Sequence, residues 1–539
     1  MAYAHGQPRV NPKARVSKNA HRPVENRHAR MAAPRAHRQP APPRRDLATA
    51  PREVKDPSDP HEQRIAALRE RLLEVLRDRP FSRSKVGVEV MQASDGDVLF
   101  AHNAAVPFNP ASNTKILTTA AAISLLGGDF RYHTALYGPA PDDSGVVHGD
   151  VVLRGSGDPS LTNDDLAEIA RKLASHGVTE IDGDLYADPR FHDPNAPAGP
   201  GVGDGALILN RNTYSVHVSP GAIGHAAQVW VEPRTEVFGV ENQATTTRSR
   251  RSRLRIDSYR KDDRLIVTVR GRISARRGEY VDVRRLADGA LLAGAILRGA
   301  LADFGVELTG KLRSGDLAAT EKLAEHESIP LSEVCSLSNK PSNNFIAETI
   351  YKTLGGELYG LPGTLAKGTR AVVDYLTQAG LAPGSYKIVN GSGLTHENRI
   401  SPSGLASLLR TIYDDVGVAP DFLTSLAVGG IDGTIRNRFR GTDAVGLVRA
   451  KTGTLNGVSA LSGFVGDKDD VLIFSILVEG FRHRRVNEVR HAQVRMVEAM
   501  LHYLHAEAPS AITPGQEPGT DLPGTDVDSE SDGEPEPTE

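Results

Sequence analysis

Apolar residues along this chain change their period several times, and the changes divide it into segments. Over residues 61–79, Ile65, Leu68, Leu72, Leu73 and Leu76 recur at helical spacing and predict an amphipathic helix. Residues 86–93 and 98–102 read as two strands joined by the turn Ser94-Asp95-Gly96-Asp97, hence a hairpin. Pro107 to Pro110 breaks the chain, and 111–126 reads as a helix ended by Gly127-Gly128. From about 131 to 320 the pattern is rich in strands and turns, with strands at 151–154, 184–187, 228–231 and 265–269. Helical patterns return after Leu331, at 344–354, 364–378 and 402–413. Strands at 446–451, 458–466 and 471–478 follow. A last helix over 486–504 places Val489, Val494, Val497, Met500, Leu501 and Leu504 mostly on one side. The expectation is a helix–sheet domain made of two sequence segments, interrupted by a β-rich insertion of nearly two hundred residues. Its parts are 64–134 and 330–506, with 135–329 inserted between them.

Charge adds two further segments. The formal net charge of the 539 residues is only -3, yet residues 1–45 carry eleven Lys/Arg against the single acid Glu25. From Glu507 to Glu539 all charged residues are acids. Like-charged ends rich in Pro, Ala, Gly and Ser repel themselves and lack apolar content, so 1–63 and 507–539 read as disordered. The basic stretch from Arg248 to Arg255 reads as a charged strand face of the insertion, and no nucleic-acid partner is expected. The one cysteine, Cys335, excludes an intrachain disulfide and a thiolate cluster, and its apolar neighbours Val334 and Leu337 suggest a small buried residue. The histidines are scattered and no HExxH occurs, so neither a metal nor a cofactor is expected. No run of 18 apolar residues occurs, so no transmembrane helix is expected. No apolar signal region is legible near the start, where Arg44-Arg45 runs into Asp46.

Candidate chemistry rests on three short motifs. A serine hydroxyl is too weakly acidic to attack a carbonyl without a proton acceptor beside it. Ser and Lys at i and i+3 of a helix share a face, with Cβ atoms about 5–6 Å apart. SxxK occurs three times, at Ser82–Lys85, Ser112–Lys115 and Ser258–Lys261. Only the second heads an apolar helix after a proline-marked turn; the first runs into a strand and the third lies in a basic, alternating segment. With Ser112 at the helix start, unpaired N–H groups and the positive dipole end favour developing negative charge there. Lys115 is a base if burial or cationic neighbours depress its pKa.

Ser342-Asn343-Asn344 precedes a helix and offers a hydroxyl and an amide for passing a proton and holding a substrate amide; read alone, it is also an ordinary polar helix start, and Ser17-Lys18-Asn19 matches the same pattern. Lys451-Thr452-Gly453 ends a predicted strand and occurs once. Its lysine and threonine suit a carboxylate and its glycine admits a substrate backbone at the strand edge, although a surface strand end with a turn glycine has the same composition.

In this order the three motifs resemble those of the penicillin-binding proteins and serine β-lactamases. The 230-position gap between Ser112 and Ser342 leaves room for the insertion. That arrangement is similar to the D-alanyl-D-alanine carboxypeptidase/endopeptidase family, the low-molecular-mass class C penicillin-binding proteins (peptidase family S13). Segments at 157–161, 183–185, 390–394, 431–434 and 448–454 are similar as well, and the resemblance covers roughly 64–505. It implies an α/β (α+β) fold of the β-lactamase/transpeptidase type, with a central antiparallel sheet between helices. It also implies a serine D,D-peptidase acting on peptidoglycan stem peptides, acylated by β-lactam antibiotics and located in the periplasm or otherwise outside the cytoplasm.

By the same resemblance Ser112, Lys115 and Ser342 are catalytic, Asn344, Lys451, Thr452 and Gly453 bind substrate, and the N–H groups of Ser112 and Thr454 form the oxyanion hole. Relatives that bind a diaminopimelate side chain carry a Trp/Asp/Tyr segment and an Arg; here the matching regions read 200–205, without Trp or Tyr, and Thr395-His396. Asp204 and His396 are accordingly candidate side-chain contacts, with a surface turn and a solvated histidine as the alternatives. Asn343 and Asn390 stand where Asp is frequent. Two alternatives are a β-lactamase or esterase on the same scaffold, which needs a deacylating base of the kind class A enzymes take from an ExxLN segment absent from this sequence, and a non-catalytic wall-binding protein, which would not need the intact motifs.

Overall fold

The computed structural model describes residues 58–193, 205–262, 264–286, 289–318, 321–467 and 470–506. Asp204, Ser17-Lys18-Asn19 and the two charged ends, but for the last residues before 64, lie outside the described residues. The first helix among the described residues is α1 (Pro60–Arg77), which begins a little ahead of the expected boundary at 64. Asp59 caps it by accepting from the His61 N–H at 2.8 Å, and Pro60 occupies the first turn, where its missing N–H is harmless. Ile65, Leu68, Leu72 and Val75 are its buried row. The helix stops two residues short of the expectation because Pro80 biases the residue before it away from helical geometry.

The hairpin β1 (Lys85–Gln92) and β2 (Val98–His102) forms as predicted. The predicted helix over 111–126 is in two parts, a 3₁₀ turn at Ala111–Asn113 and then α2 (Thr114–Leu126). Ala111 has φ 45°, a left-handed value that no α-helical residue adopts, so the helix proper begins after the turn.

Residues 133–327 form smaller sheets of their own. One has the order 312–314, 185–188, 151–155, 133–138, 321–327; another places 264–274 between 238–247 and 253–261; a third places 213–219 between 280–285 and 228–232. Two helices that the strand-rich pattern did not register also lie here, α3 (Asn163–Ser175) and α4 (Ala290–Asp303). Leu166, Ile169, Ala170 and Leu173 give α3 its buried stripe, and Asp165 closes its first turn onto Thr162. These elements share a hydrophobic cluster drawn from residues 136–324.

The second segment supplies α5 (Leu331–Asn339), α6 (Asn344–Tyr359), α7 (Leu365–Gln378), α8 (Pro402–Asp414) and α9 (Ala419–Ser425). It continues through β3 (Ala427–Val428), β4 (Val448–Leu455), β5 (Val458–Asp467), β6 (Asp470–Glu479) and α10 (Val486–His505). One six-stranded antiparallel sheet, ordered β3-β4-β5-β6-β1-β2, draws on both segments. The splice is β1 against β6, from Lys85 opposite Glu479 to Gln92 opposite Leu472. On one face Val88, Val90, Leu461, Phe474 and Ile476 pack with α1 and α10. On the other, Met91, Ala460, Ile473 and Leu477 pack with α2 and α8. Each large apolar side chain fully buried in these layers contributes about 1.5–3 kcal/mol against exposure. The result is a central antiparallel sheet between helical layers, the fold class the motifs imply.

The strand carrying Lys451-Thr452-Gly453 does not end there. β4 runs on to Leu455 because β5 pairs it throughout, from Val448 opposite Val465 to Leu455 opposite Val458. On its other side β3 covers only Arg449 and Ala450. From Lys451 onward that outer edge has no strand partner among the described residues.

Candidate active site

Asn109 and Pro110 set the entry to the 3₁₀ turn that carries Ser112. The Asn109 side-chain oxygen accepts from the Ala111 N–H at 2.7 Å, and the left-handed Ala111 that follows swings Ser112 into the 3₁₀ turn. A non-glycine residue in that region stores about 1–3 kcal/mol of strain, held by the surrounding contacts. Gly453 is one of those contacts. A Cβ there would lie 2.5 Å from the Pro110 carbonyl and 3.0 Å from the Ser112 nitrogen, so only glycine lets β4 lie against the turn.

Lys115 sits in the first turn of α2 with no exposed surface. Its Nζ is 3.1 Å from Ser112 Oγ, 2.7 Å from Asn344 Oδ1 and 2.7 Å from the Ser392 carbonyl oxygen. Burial lowers its pKa to about 7, against the opposing pull of the Glu348 carboxylate. A neutral amine has two N–H groups and one lone pair. With Asn344 and Ser392 accepting the two N–H groups, the lone pair is left for the Ser112 hydroxyl.

Ser342 and Lys451 form the opposite wall. Ser342 also adopts a left-handed φ, 62°, immediately before Asn343 caps α6 by accepting from the Ile346 N–H at 3.1 Å. The asparagine that stands where Asp is frequent is thus the helix cap. Lys451 Nζ donates to Ser342 Oγ at 2.8 Å and to the Thr452 carbonyl at 2.9 Å. Lys451 is fully buried, and desolvation, followed by the charges of Lys115 and Arg438, holds its pKa well below the ordinary lysine value. Thr452 Oγ1 donates to Thr434 Oγ1 at 2.8 Å, and Arg490 donates to Thr454 Oγ1 at 3.2 Å.

Ser112, Lys115, Ser342, Asn344, Lys451, Thr452 and Gly453 are therefore brought together, linked by hydrogen bonds or backbone packing. His396 is exposed on the loop after Ser392, its carbonyl accepting from Arg399. The other two SxxK pairs are on the surface: Ser82 and Lys85 are exposed at the start of β1, and Ser258 and Lys261 are exposed on the strand Arg253–Lys261. Of the basic stretch Arg248 to Arg255, expected as a charged strand face, only Arg253 and Arg255 lie on that strand, exposed on one face; Arg248, Arg250 and Arg251 are exposed in the connection before it rather than on a strand. Cys335 is buried, and burial pushes its thiol far above the usual range.

Sequence reading missed Glu348, Ser392 as a partner of Lys115, Thr434 and Arg438. Glu348 stands four residues after Asn344, on the same helical face, and that spacing was the available signal. Among the described residues His133–Glu325–Glu327 and Asp165–Glu168–His326 bring potential metal-ligand atoms within 4.8 Å. In each the histidine already meets a carboxylate, His133 Nδ1 at 2.9 Å from Glu325 and His326 Nδ1 at 2.8 Å from Glu168. No helix among the described residues is long and apolar enough to cross a membrane.

A family model described as D-Ala-D-Ala carboxypeptidase 3 (S13) matches residues 68–500. The D-alanyl-D-alanine carboxypeptidase of Actinomadura sp. (strain R39) is 33% identical over 447 residues, covering 77% of this chain and 82% of that protein. The D-alanyl-D-alanine carboxypeptidase DacB of Haemophilus influenzae is 25% identical over 421 residues, covering 74% of this chain and 86% of that protein. The crystal structure of penicillin binding protein 4 from Haemophilus influenzae has a TM-score of 0.66 and 22% identity, covering 81% of this chain and 99% of that one, which shows a shared fold.

Proposed function

We infer that this chain, which belongs to the D-Ala-D-Ala carboxypeptidase 3 (S13) family, is a serine D,D-peptidase that works through an acyl-enzyme on Ser112. The reading rests on one observation: a buried lysine of lowered pKa contacts Ser112 while a second buried lysine holds Ser342 across the same site. Ser112 Oγ attacks the penultimate D-alanine carbonyl as its proton passes to Lys115 Nζ. The N–H groups of Ser112 and Thr454 receive the oxyanion, a role supported by the close packing of Gly453 against the Ser112 nitrogen. The C–N bond breaks, the leaving amine takes a proton by way of Ser342, and water then hydrolyses the ester to free Ser112. Lys451 and Thr452 bind the terminal carboxylate, which restores to Lys451 the counter-charge that burial denies it. Asn344 holds the substrate amide, and the peptide backbone lies along the open edge of β4.

The physiological substrates are peptidoglycan stem peptides, and β-lactams occupy the same site as substrate mimics. A site outside the cytoplasm follows from that substrate. His396 and Asp204 are the side-chain contacts of this proposal. So is a catalytic domain of 64–134 and 330–506 interrupted by 135–329, which the separate hydrophobic clusters support. Labelling with a fluorescent penicillin tests the core of it: wild type and Ser82→Ala should label equally, and Ser112→Ala should not label. A labelled Ser112→Ala protein, or an unlabelled wild type, would overturn it.

A further inference from the structure

Glu348 lies four residues after Asn344 on α6 and is only 3% exposed. Its carboxylate does not touch Ser112, Lys115 or Lys451. Instead Oε2 accepts from the Gly391 N–H at 3.1 Å and Oε1 from the Ser392 N–H at 2.9 Å. A carboxylate accepting two consecutive backbone amides holds that peptide in one orientation. The loop has little other freedom. The Gly391 carbonyl accepts from Thr118 Oγ1 at 2.8 Å, and the Gly393 N–H donates to Asn390 Oδ1 at 2.7 Å. Gly393 has φ 75°, and a Cβ there would meet the Ala111 carbonyl oxygen at 1.8 Å. A Cβ at Gly391 would meet Tyr351 at 2.7 Å. The outcome is a fixed Ser392 carbonyl pointing at Lys115 Nζ, 2.7 Å away.

That carbonyl is one of the two acceptors that decide where the Lys115 lone pair points. We propose that Glu348 is a positioning residue for acyl transfer: it clamps the Gly391-Ser392 amides so that the Ser392 carbonyl aims the Lys115 lone pair at Ser112, and its charge faces the ammonium that forms when Lys115 takes the Ser112 proton. This rests on the Ser112–Lys115 reading above. The proton balance is simple. The Ser112 O–H bond breaks, the Lys115 N–H bond forms, and the new positive charge is held beside Asn344 Oδ1 and the Ser392 carbonyl in a site whose burial disfavours it. Lys451 on β4 stands close enough to Lys115 for the two charges to oppose each other, and Arg438 adds to the field at Lys451. Tyr351, one turn after Glu348, feels the same carboxylate, and its phenol is driven upward chiefly by burial. Among the groups acting on Lys115, Glu348 is the charge that favours the ammonium.

The charge and the clamp make separable predictions. Removing the charge lowers the Lys115 pKa, so the free amine persists to lower pH and the acidic limb of the acylation profile moves down. Losing the clamp misaims the lone pair and lowers the rate at every pH. The experiment measures the second-order acylation rate by a fluorescent penicillin across a pH series for wild type, E348Q and E348D in the full chain. E348Q should lose roughly 10–100-fold at the wild-type optimum, with its acidic limb displaced to lower pH. E348D keeps the charge on a shorter arm, so it should lose rate with the limb near its wild-type position. Equal loss for E348Q at all pH values with an unmoved limb would reduce Glu348 to a structural residue and sink the proposal, as would an E348D rate equal to wild type. Should E348Q fail to fold, E348D decides alone by the same two readouts. A wild type that is not acylated at all speaks against the serine-acylation reading instead, so the two failures are distinguishable.

Discussion

Ser112–Lys115 and Ser258–Lys261 have the same spacing and opposite fates. In the 3₁₀ turn and the start of α2, residues three apart share a face, and the lysine comes to 3.1 Å from the serine oxygen. Along the strand Arg253–Lys261, residues three apart point to opposite faces of the sheet. There Ser258 accepts a hydrogen bond from the Tyr214 hydroxyl at 3.3 Å while Lys261 is exposed in solvent. The solvent differs as much as the geometry. Lys115 is fully buried, and burial lowers its pKa to about 7, whereas Lys261 stays in water. A short motif therefore states only which groups are available; helical periodicity and desolvation give one pair the contact and the lowered pKa that the proposed nucleophile and base need.

The largest expected effect breaks this comparison at the lysines. Lys115→Ala should slow acylation by a fluorescent penicillin about 10²–10⁴-fold, the usual range for a general base, while Lys261→Ala should label at the wild-type rate. In the wild type the rate should rise with pH through about 7, because only the amine form accepts the Ser112 proton. A profile flat across that region would mean that Lys115 is not the titrating base.

A smaller effect contrasts two glycines. Gly453→Ala forces a Cβ to 2.5 Å from the Pro110 carbonyl, against backbone that has no room to move. It should reduce acylation by about 10–100-fold and stability by about 1–3 kcal/mol. At Gly278, among the inserted sheets, an added methyl would meet nothing within 4 Å, and Gly278→Ala should stay within about 0.5 kcal/mol of wild type with unchanged labelling. Denaturant midpoints and labelling rates on the two variants separate them. The smallest effect sharpens the role of Asn343. Asn343→Ala removes the acceptor for the Ile346 N–H and should lower stability by about 1 kcal/mol in a urea titration.

Much of the fold was legible because its elements have clean periods. The amphipathic rows of α1, α7, α8 and α10 and the apolar runs of β5 and β6 need no tertiary information to be seen. The helices missed inside the insertion had different causes. The buried stripe of α3 is short and set among turn-rich sequence, and α4 is small and apolar on nearly every side, leaving no polar face to mark its period. The extent of β4 was misjudged because Lys451-Thr452-Gly453 looks like a strand end, while its pairing with β5 is a contact only the folded chain reveals. The three motifs supplied the residues that the fold brings together at the candidate site. Glu348 and Ser392 escaped because their contacts with the site pass through backbone amides and a carbonyl, groups every residue has.

The unpaired rim of β4 has a bearing on solubility that is separate from chemistry. A sheet margin with free donors and acceptors invites pairing with another chain, and a long flat one is a route to aggregation. Here the open stretch runs only from Lys451 to Leu455, it includes a glycine and a buried lysine, and Ser342 stands across its beginning. A groove this short and walled favours a single peptide over the margin of a second sheet. On the proposed reading, the confinement that suits the edge to one peptide also disfavours pairing with the sheet of a neighbouring copy.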